Sequence, residues 1–380
     1  MRYSPNASLV GFPGSAKRIT TPALMVDYAK LKANIAQMTE RCREVGLALR
    51  PHGKTHKCTR LAELQIASGA VGVCAATGRE GIAFARAGLT GILITAPVVQ
   101  YTQIDELVRL HAEGADISIV IDHPEVARRW EKALAGSTRP LPALVDVDIG
   151  MNRTGALTPE AALEIATLLK NSALLKYSGV QAYSGRVQHI NDFAERRKAY
   201  GVQLDRLKTV LEKLRANGLA PEIVSGGGTG TFAIDAVAGI FTESQAGSYV
   251  FMDVEYAAVQ LFPAMTNPWQ HSLFLRASVV SANVPGQVTV NAGFKSFATD
   301  GPAPTIYGDT APGMLYEFYG DEYGRLILDP DTVPPVLGST ADLFTSHCDP
   351  TINLHDWLHI VEGDTLVDIW EIDARGVLGS

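Results

Sequence analysis

The run Leu47-Ala48-Leu49-Arg50-Pro51-His52-Gly53-Lys54-Thr55-His56-Lys57 decides how the chain reads. Apolar residues at its start give a strand over 47–51, and a basic loop follows. Upstream, in 28–45, Leu31, Ile35, Met38 and Cys42 fall on one stripe at helical spacing. Outward from there, short β-branched runs alternate with longer amphipathic stretches from residue 20 to about 260. That alternation predicts βα units around a parallel sheet. The predicted strands are 23–27, 47–51, 71–75, 91–95, 117–121, 143–149, 179–183, 222–225 and 248–253. Nine is one too many for an eight-stranded barrel, so the first, which precedes the strongest motif, is expected to lie elsewhere.

Beyond Pro263 the pattern changes. Pro, Gly, Asp and Asn interrupt short runs at 278–281, 287–291, 325–328 and 365–372, and long helical periodicity is scarce. The expected fold is therefore α/β: a (β/α)8 TIM-type barrel over 22–263 and a second, mostly antiparallel β domain over 264–380. Residues 1–21, and possibly the strand 23–27, join the β domain. The chain has 380 residues, 46% hydrophobic and 19% charged, within the range of globular proteins rather than disordered or fibrous ones. A net charge of -7 offers no cationic surplus for phosphates, so neither nucleic acid nor an anionic membrane is an expected partner. Cys42, Cys58, Cys74 and Cys348 are scattered without a C-x-x-C pair, the usage of a reducing compartment, here read as the cytoplasm. The first 21 residues lack the apolar core of a signal peptide, and no apolar run approaches the roughly 18 residues that span a bilayer.

Five constellations carry chemistry. A barrel strand places Lys54 at the C-terminal mouth, where active sites are built. Partial desolvation among cationic neighbours would lower its pKa and make it a Schiff-base amine, the alternative being a solvated basic loop. Ser225-Gly226-Gly227-Gly228-Thr229-Gly230-Thr231 could cradle a phosphate on backbone N–H groups, with Thr229 as a further donor. It lacks a Walker lysine and reads equally as a glycine turn. Gln245-Ala246-Gly247-Ser248 could add donors beside it. In His347-Cys348-Asp349-Pro350, Pro350 biases Asp349 towards extended backbone. His347 and Asp349 would then share a face and hold one hard or borderline divalent cation such as Mn²⁺. His189, past the strand 179–183, could be a general base or a surface histidine. Arg153 could bind an oxygen anion or neutralise Asp146 and Asp148. His355 and His359 have the spacing of one helical face, but their Ile, Leu and Trp neighbours give them a structural role.

Taken together, these segments resemble the fold type III pyridoxal-phosphate enzymes, most closely the D-threonine aldolase branch related to D-serine dehydratases. The resemblance rests on Thr21-Pro22-Ala23, R-P-H-x-K-T-H-K at 50–57, D-x-G-M-x-R-x-G at 148–155, Y-x-G-x-x-Q-H at 183–189, G-G-G-T at 226–229, G-x-Y-x-x-x-D at 247–253 and H-C-D-P-T at 347–351. It implies that Lys54 carries pyridoxal 5'-phosphate as a Schiff base, that Arg153 lies by the ring's phenolic oxygen, and that Tyr183 lines the site. Gly228, Thr229, Gly247 and Ser248 match phosphate-binding positions. Gln245 stands where racemases of this fold place an arginine at the pyridine nitrogen. A neutral partner there would make the ring a weaker electron sink and leave more work to the metal.

The implied reaction is retro-aldol cleavage of a D-3-hydroxy amino acid, D-threonine giving glycine and acetaldehyde. A divalent metal on His347 and Asp349 binds the substrate hydroxyl, and His189 takes its proton, directly or through water. A D-hydroxy amino acid dehydratase is the near alternative. In the relatives with that activity the second ligand resembles a cysteine, where this chain has Asp349. A racemase would need a further acid/base such as Tyr307, Tyr316 or Tyr319. A noncatalytic cofactor-binding protein of this barrel would lack the second domain. The resemblance also implies a homodimer.

Overall fold

The computed structural model of the chain describes residues 4–264, 267–308 and 313–376. The remaining residues of the expected domain spans lie outside the described residues. The first strand, β1 (Ala23–Asp27), leads into a helix over Tyr28–Glu44, which Asp27 caps by accepting from the Lys30 amide at 3.1 Å. The helix buries the stripe foreseen in the sequence, Leu31, Ile35, Met38 and Cys42, together with Asn34.

Eight short strands then alternate with helices: β2 (Ala48–Leu49), β3 (Val73–Ala75), β4 (Ile92–Ile94), β5 (Ile117–Ile121), β6 (Leu141–Val147), β7 (Leu175–Ala182), β8 (Ile223–Gly226) and β9 (Glu243–Ser244). All pair in parallel, in the order β2-β9-β8-β7-β6-β5-β4-β3. The two ends of that order meet. Val71 N–H donates to Leu49 O at 2.8 Å and Cys74 N–H to Pro51 O at 2.9 Å, so the sheet curls into a TIM-type barrel. Alternation along the strands sorts the side chains. Cys74, Leu93, Val120 and Leu144 form a small cluster of their own inside the barrel, while Val73, Ile92, Ile94, Ile119, Ile121 and Val145 pack outward in the main core.

Nearer the C-terminal ends of the strands the interior turns polar. Gln181 donates to Asp146 at 2.7 Å and to Thr95 O at 3.3 Å, and Thr154 donates to Asp146 at 2.9 Å. Burial pushes the Asp146 pKa up to about 6. This layer floors the mouth of the barrel.

The expected strand 248–253 is not one. Ser248–Val250 is a 3-10 turn, and the eighth barrel strand is the two-residue β9 before it. Tyr249, Val250, Phe251 and Met252 are wholly buried, and a short apolar run reads alike as a strand or as a buried turn. The second sheet comprises β1 with β10 (Leu273–Ser281), β11 (Gln287–Val290), β12 (Thr305–Ile306), β13 (Met314–Phe318), β14 (Gly324–Leu328), β15 (Thr340–Phe344), β16 (Trp357–Glu362) and β17 (Thr365–Glu371). Its pairings are antiparallel except β1 with β16, so the strand singled out by counting belongs to this sheet. Among the described residues no helix is long and apolar enough to cross a membrane.

Candidate active site

Because the barrel strands are parallel, the loops after β2, β6, β7, β8 and β9 open on one side. Lys54 sits there in a single turn, Gly53–Thr55. His52 fixes that turn by accepting the Lys54 amide on Nδ1 at 3.4 Å, while its Nε2 lies 3.2 Å from the Thr95 hydroxyl. A Cβ at Gly53 would stand 2.7 Å from the Phe84 ring, so only glycine lets the turn lie this close. Lys57 anchors the end of the loop through a buried ion pair with Glu80 at 2.5 Å.

Across the mouth, the second domain brings His347 and Asp349. The link is direct: Asp253, just past the 3-10 turn, accepts the Cys348 amide at 2.9 Å, and Val254 and Glu255 donate to Thr345 O and Ser346 O at 3.1 and 3.3 Å. Asp349 forms an ion pair with the Lys54 amine. Two expectations are corrected by this arrangement. Asp349 does not lie in extended chain beside His347: it occupies the first turn of the helix Cys348–Ile352, where Pro350 loses no helical hydrogen bond. Nor is the Lys54 pKa lowered. Burial alone would lower it, but the Asp349 carboxylate, with Tyr183 adding, lifts it above the usual value. Asp349 responds in the opposite sense, held well below the carboxylate range by Lys54 and His347 although burial opposes this.

The His347 Nδ1 lies 2.9 Å from Asp300 Oδ2, which leaves Nε2 as the free donor atom. A carboxylate behind an imidazole is the arrangement that orients a metal-binding histidine. Asp349 and Asp300 raise the His347 pKa against the effect of burial. The His189 ring stands 6.2 Å from the His347 ring, centroid to centroid, and 4.6 Å from Tyr256. Burial, reinforced by His347, pushes the His189 pKa down to about 4, so the ring is neutral and able to accept a proton. Among the described residues no three His, Cys, Asp or Glu side chains form a ready-made metal centre. His347 and Asp349 could hold an ion with positions left for water and substrate.

The glycine loop lies between β8 and the helix Phe232–Ala238. The Gly228 amide is taken by Thr231 Oγ1 at 3.0 Å, so it is not the donor its position suggested. Thr229 accepts from the Tyr249 amide at 3.1 Å, which leaves its hydroxyl proton to donate. A Cβ at Gly228 would lie 2.6 Å from Gln188 Oε1, and one at Gly247 would lie 2.5 Å from Thr55 Oγ1 and 3.0 Å from His52 O. At both positions a side chain would strike protein atoms, so glycine lets these loops pack tightly against Gln188 and against the turn that carries Lys54. Ser248 is buried. Gln245 is buried too, its amide donating to Ser225 Oγ at 3.0 Å.

Arg153 is exposed, and among the described residues its guanidinium joins no ion pair. Asp146 is satisfied by Thr154 and Gln181, and Asp148 by the amides of Gly150 and Arg153. The Arg153 charge still acts on Asp146 through space, while its exposed guanidinium stays available for an anion. Tyr183 is half-buried, and a Cβ at Gly185 would touch its ring. His355 and His359 do not share a helix: His359 is in β16, bonded to Leu24 O and Asn6, and His355 is bonded to Ser296 O. Tyr316 donates its buried hydroxyl to Ala292 O, Tyr307 accepts from Lys30, and Tyr319 is exposed over Arg325. Asp300 and Glu255 stand in no motif of the sequence, whereas Asp253 ends the G-x-Y-x-x-x-D stretch at 247–253.

Residues 26–255 match the family described as alanine racemase, N-terminal domain, and residues 272–361 match a putative serine dehydratase domain. A D-threonine aldolase of an Arthrobacter species is 36% identical over 359 residues, 94% of this chain and 93% of that one. The chain belongs to the alanine racemase-like D-threonine aldolase family. A 3-hydroxy-D-aspartate aldolase of Paracoccus denitrificans is 34% identical, covering 98% of this chain and 97% of its own. The crystal structure of D-threonine aldolase from Filomicrobium marinum superposes with a TM-score of 0.92 at 34% identity, each chain covered in full. The D-threo-3-hydroxyaspartate dehydratase of Delftia sp. HT23, 23% identical with a TM-score of 0.81, shares the fold.

Fold and family imply pyridoxal phosphate, and the residues fit it. The Lys54 side chain keeps 37% of its surface exposed, enough to meet a carbonyl carbon, and the Thr229 hydroxyl, with its proton left to donate, follows β8 on the same side of the barrel.

Proposed function

We propose that this chain is a lyase that cleaves D-3-hydroxy amino acids by a retro-aldol reaction, taking D-threonine to glycine and acetaldehyde. The observation that carries the reading is the meeting of Lys54 with Asp349, which sets the barrel's amine beside the second domain's ion-binding pair. Pyridoxal phosphate, when bound, supplies an electron sink for the carbanion left at Cα, and a divalent ion acidifies the substrate hydroxyl. Lys54 would hold the cofactor, Thr229, Gly247 and Ser248, with the loop shaped by Gly228, would receive its phosphate, and Arg153, Tyr183 and Gln245 would line its ring. His347 and Asp349 hold the ion. Mixed nitrogen and oxygen donors suit Mn²⁺.

His189 accepts the proton of the substrate hydroxyl, a contribution of about 10² to 10⁴-fold for a well-placed base. As the O–H bond breaks, its electrons form the carbonyl of acetaldehyde and the Cα–Cβ bond opens. The dehydratase reading would have the ion assist departure of hydroxide instead, and Asp349 in place of a thiolate favours the aldolase. The test is a product assay on D-threonine with the cofactor, with and without chelation. Glycine and acetaldehyde that vanish on chelation support the proposal; 2-oxobutanoate and ammonia overturn it. A cytoplasmic homodimer is part of the same proposal, supported by four free, buried cysteines and by the family resemblance, and light scattering checks the mass.

A further inference from the structure

His189 owes its usefulness as a base to which ring nitrogen carries the proton. Its Nδ1 is buried and has no hydrogen bond among the described residues, while Glu255 Oε1 lies 3.4 Å away. Contacts of this kind are often long until substrate closes the site. Glu255 is held firmly. It sits on the single turn Val254–Ala257, which Asp253 caps by accepting the Tyr256 amide at 2.9 Å and which is tied by two backbone bonds to the strand end leading to His347. The next residue on that turn, Tyr256, packs against the His189 ring.

We propose that Glu255 is a positioning residue for His189, accepting the Nδ1 proton so that the Nε2 lone pair faces the substrate hydroxyl. The proposal rests on the reading of His189 as the proton acceptor. With the opposite tautomer, a nitrogen lone pair would face a carboxylate oxygen at 3.4 Å, and two acceptors would meet with no proton between them. When Nε2 takes the substrate proton, the ring becomes a cation and Glu255 stabilises it without becoming protonated itself, the part a buried carboxylate plays behind a catalytic imidazole. Since the turn bearing Glu255 is bonded to the His347 segment, the base is oriented from the same piece of structure that presents the ion.

The experiment compares Glu255→Ala, Glu255→Gln and His189→Ala as enzymes loaded with pyridoxal phosphate and Mn²⁺, reading kcat and KM for D-threonine together with cofactor absorbance and Mn²⁺ affinity. Glu255→Ala is expected to lose about 10 to 100-fold in kcat, within the reach of the base itself, with KM changed less than about 2-fold. Glu255→Gln, whose neutral amide cannot stabilise the ring cation and can turn its NH2 towards Nδ1 to favour the other tautomer, is expected to lose at least as much kcat as Glu255→Ala. Absorbance and Mn²⁺ affinity should match the parent in both. A parental kcat in Glu255→Ala beside an inactive His189→Ala overturns the proposal, as does a parental kcat in Glu255→Gln. A parental kcat in His189→Ala overturns the reading of the base. Should Glu255→Ala not fold, ¹⁵N-histidine spectra of the parent decide: protonated Nδ1 supports the assignment and protonated Nε2 refutes it.

Discussion

The barrel is clasped where its first and last strands in chain order meet, and Arg50 forms the clasp. The guanidinium grips Glu243 through two bonds, Nε to Oε2 at 2.9 Å and Nη2 to Oε1 at 2.5 Å, and also donates to Gly91 O. The two side chains are only 12% and 7% exposed. In Arg50→Met the Glu243 carboxylate is left buried without its cation, a loss of about 3 to 5 kcal/mol for a pair of this kind. Gly91 O adds little, because it still accepts the Val73 amide. With a urea dependence of roughly 3 kcal/mol per molar, the barrel's midpoint should fall by about 1 to 1.7 M. In Arg50→Met/Glu243→Leu no charge is stranded, so the double variant should recover to within about 1.5 kcal/mol of the parent. Urea unfolding followed by circular dichroism measures both. A double variant as unstable as Arg50→Met alone would refute the reasoning, because the cost would then come from lost packing.

Other expectations follow from the same structure. His347→Ala should weaken Mn²⁺ binding by about 10-fold or more while pyridoxal phosphate still loads, whereas His355→Ala/His359→Ala should keep Mn²⁺ affinity; calorimetric titration separates the two cases. Gly247→Ala would press a Cβ to within 3.0 Å of His52 O, and backbone cannot rotate away as a side chain does. Cofactor affinity, read from absorbance titration, should fall about 10-fold or more, as expected for about 1.4 kcal/mol of strain at this loop. Asp235 is wholly buried, and burial pushes its pKa up to about 7. The folded chain therefore holds that proton between the ordinary carboxylate range and pH 7 while the unfolded chain releases it, and stability declines as pH rises through the interval. Asp235→Asn removes the decline, so its advantage over the parent should grow from pH 5 to pH 8, to at most about 4 kcal/mol, in urea midpoints of the apoprotein.

What the sequence carried was local. Helical spacing marked the stripe from Leu31 to Cys42, and strand followed by loop put Lys54, the glycine loop and His189 at one end of a parallel sheet, because chain direction in such a sheet fixes where every loop emerges. Counting strands displaced β1 from the barrel. The same local signal failed at Tyr249 to Met252, where burial on every side looks alike in a strand and in a turn, and the true β9 is too short to show a period. Tertiary structure alone decided the electrostatics. Lys54 and Asp349 are far apart in the chain, and whether the amine's pKa falls with burial or rises beside a carboxylate depends on which distant segment docks against it. Asp300 behind His347 and Glu255 beside His189 are equally long-range, so no spacing in the sequence could announce them. Periodicity is a property of neighbours along the chain; charge acts through space, and only the fold sets those distances.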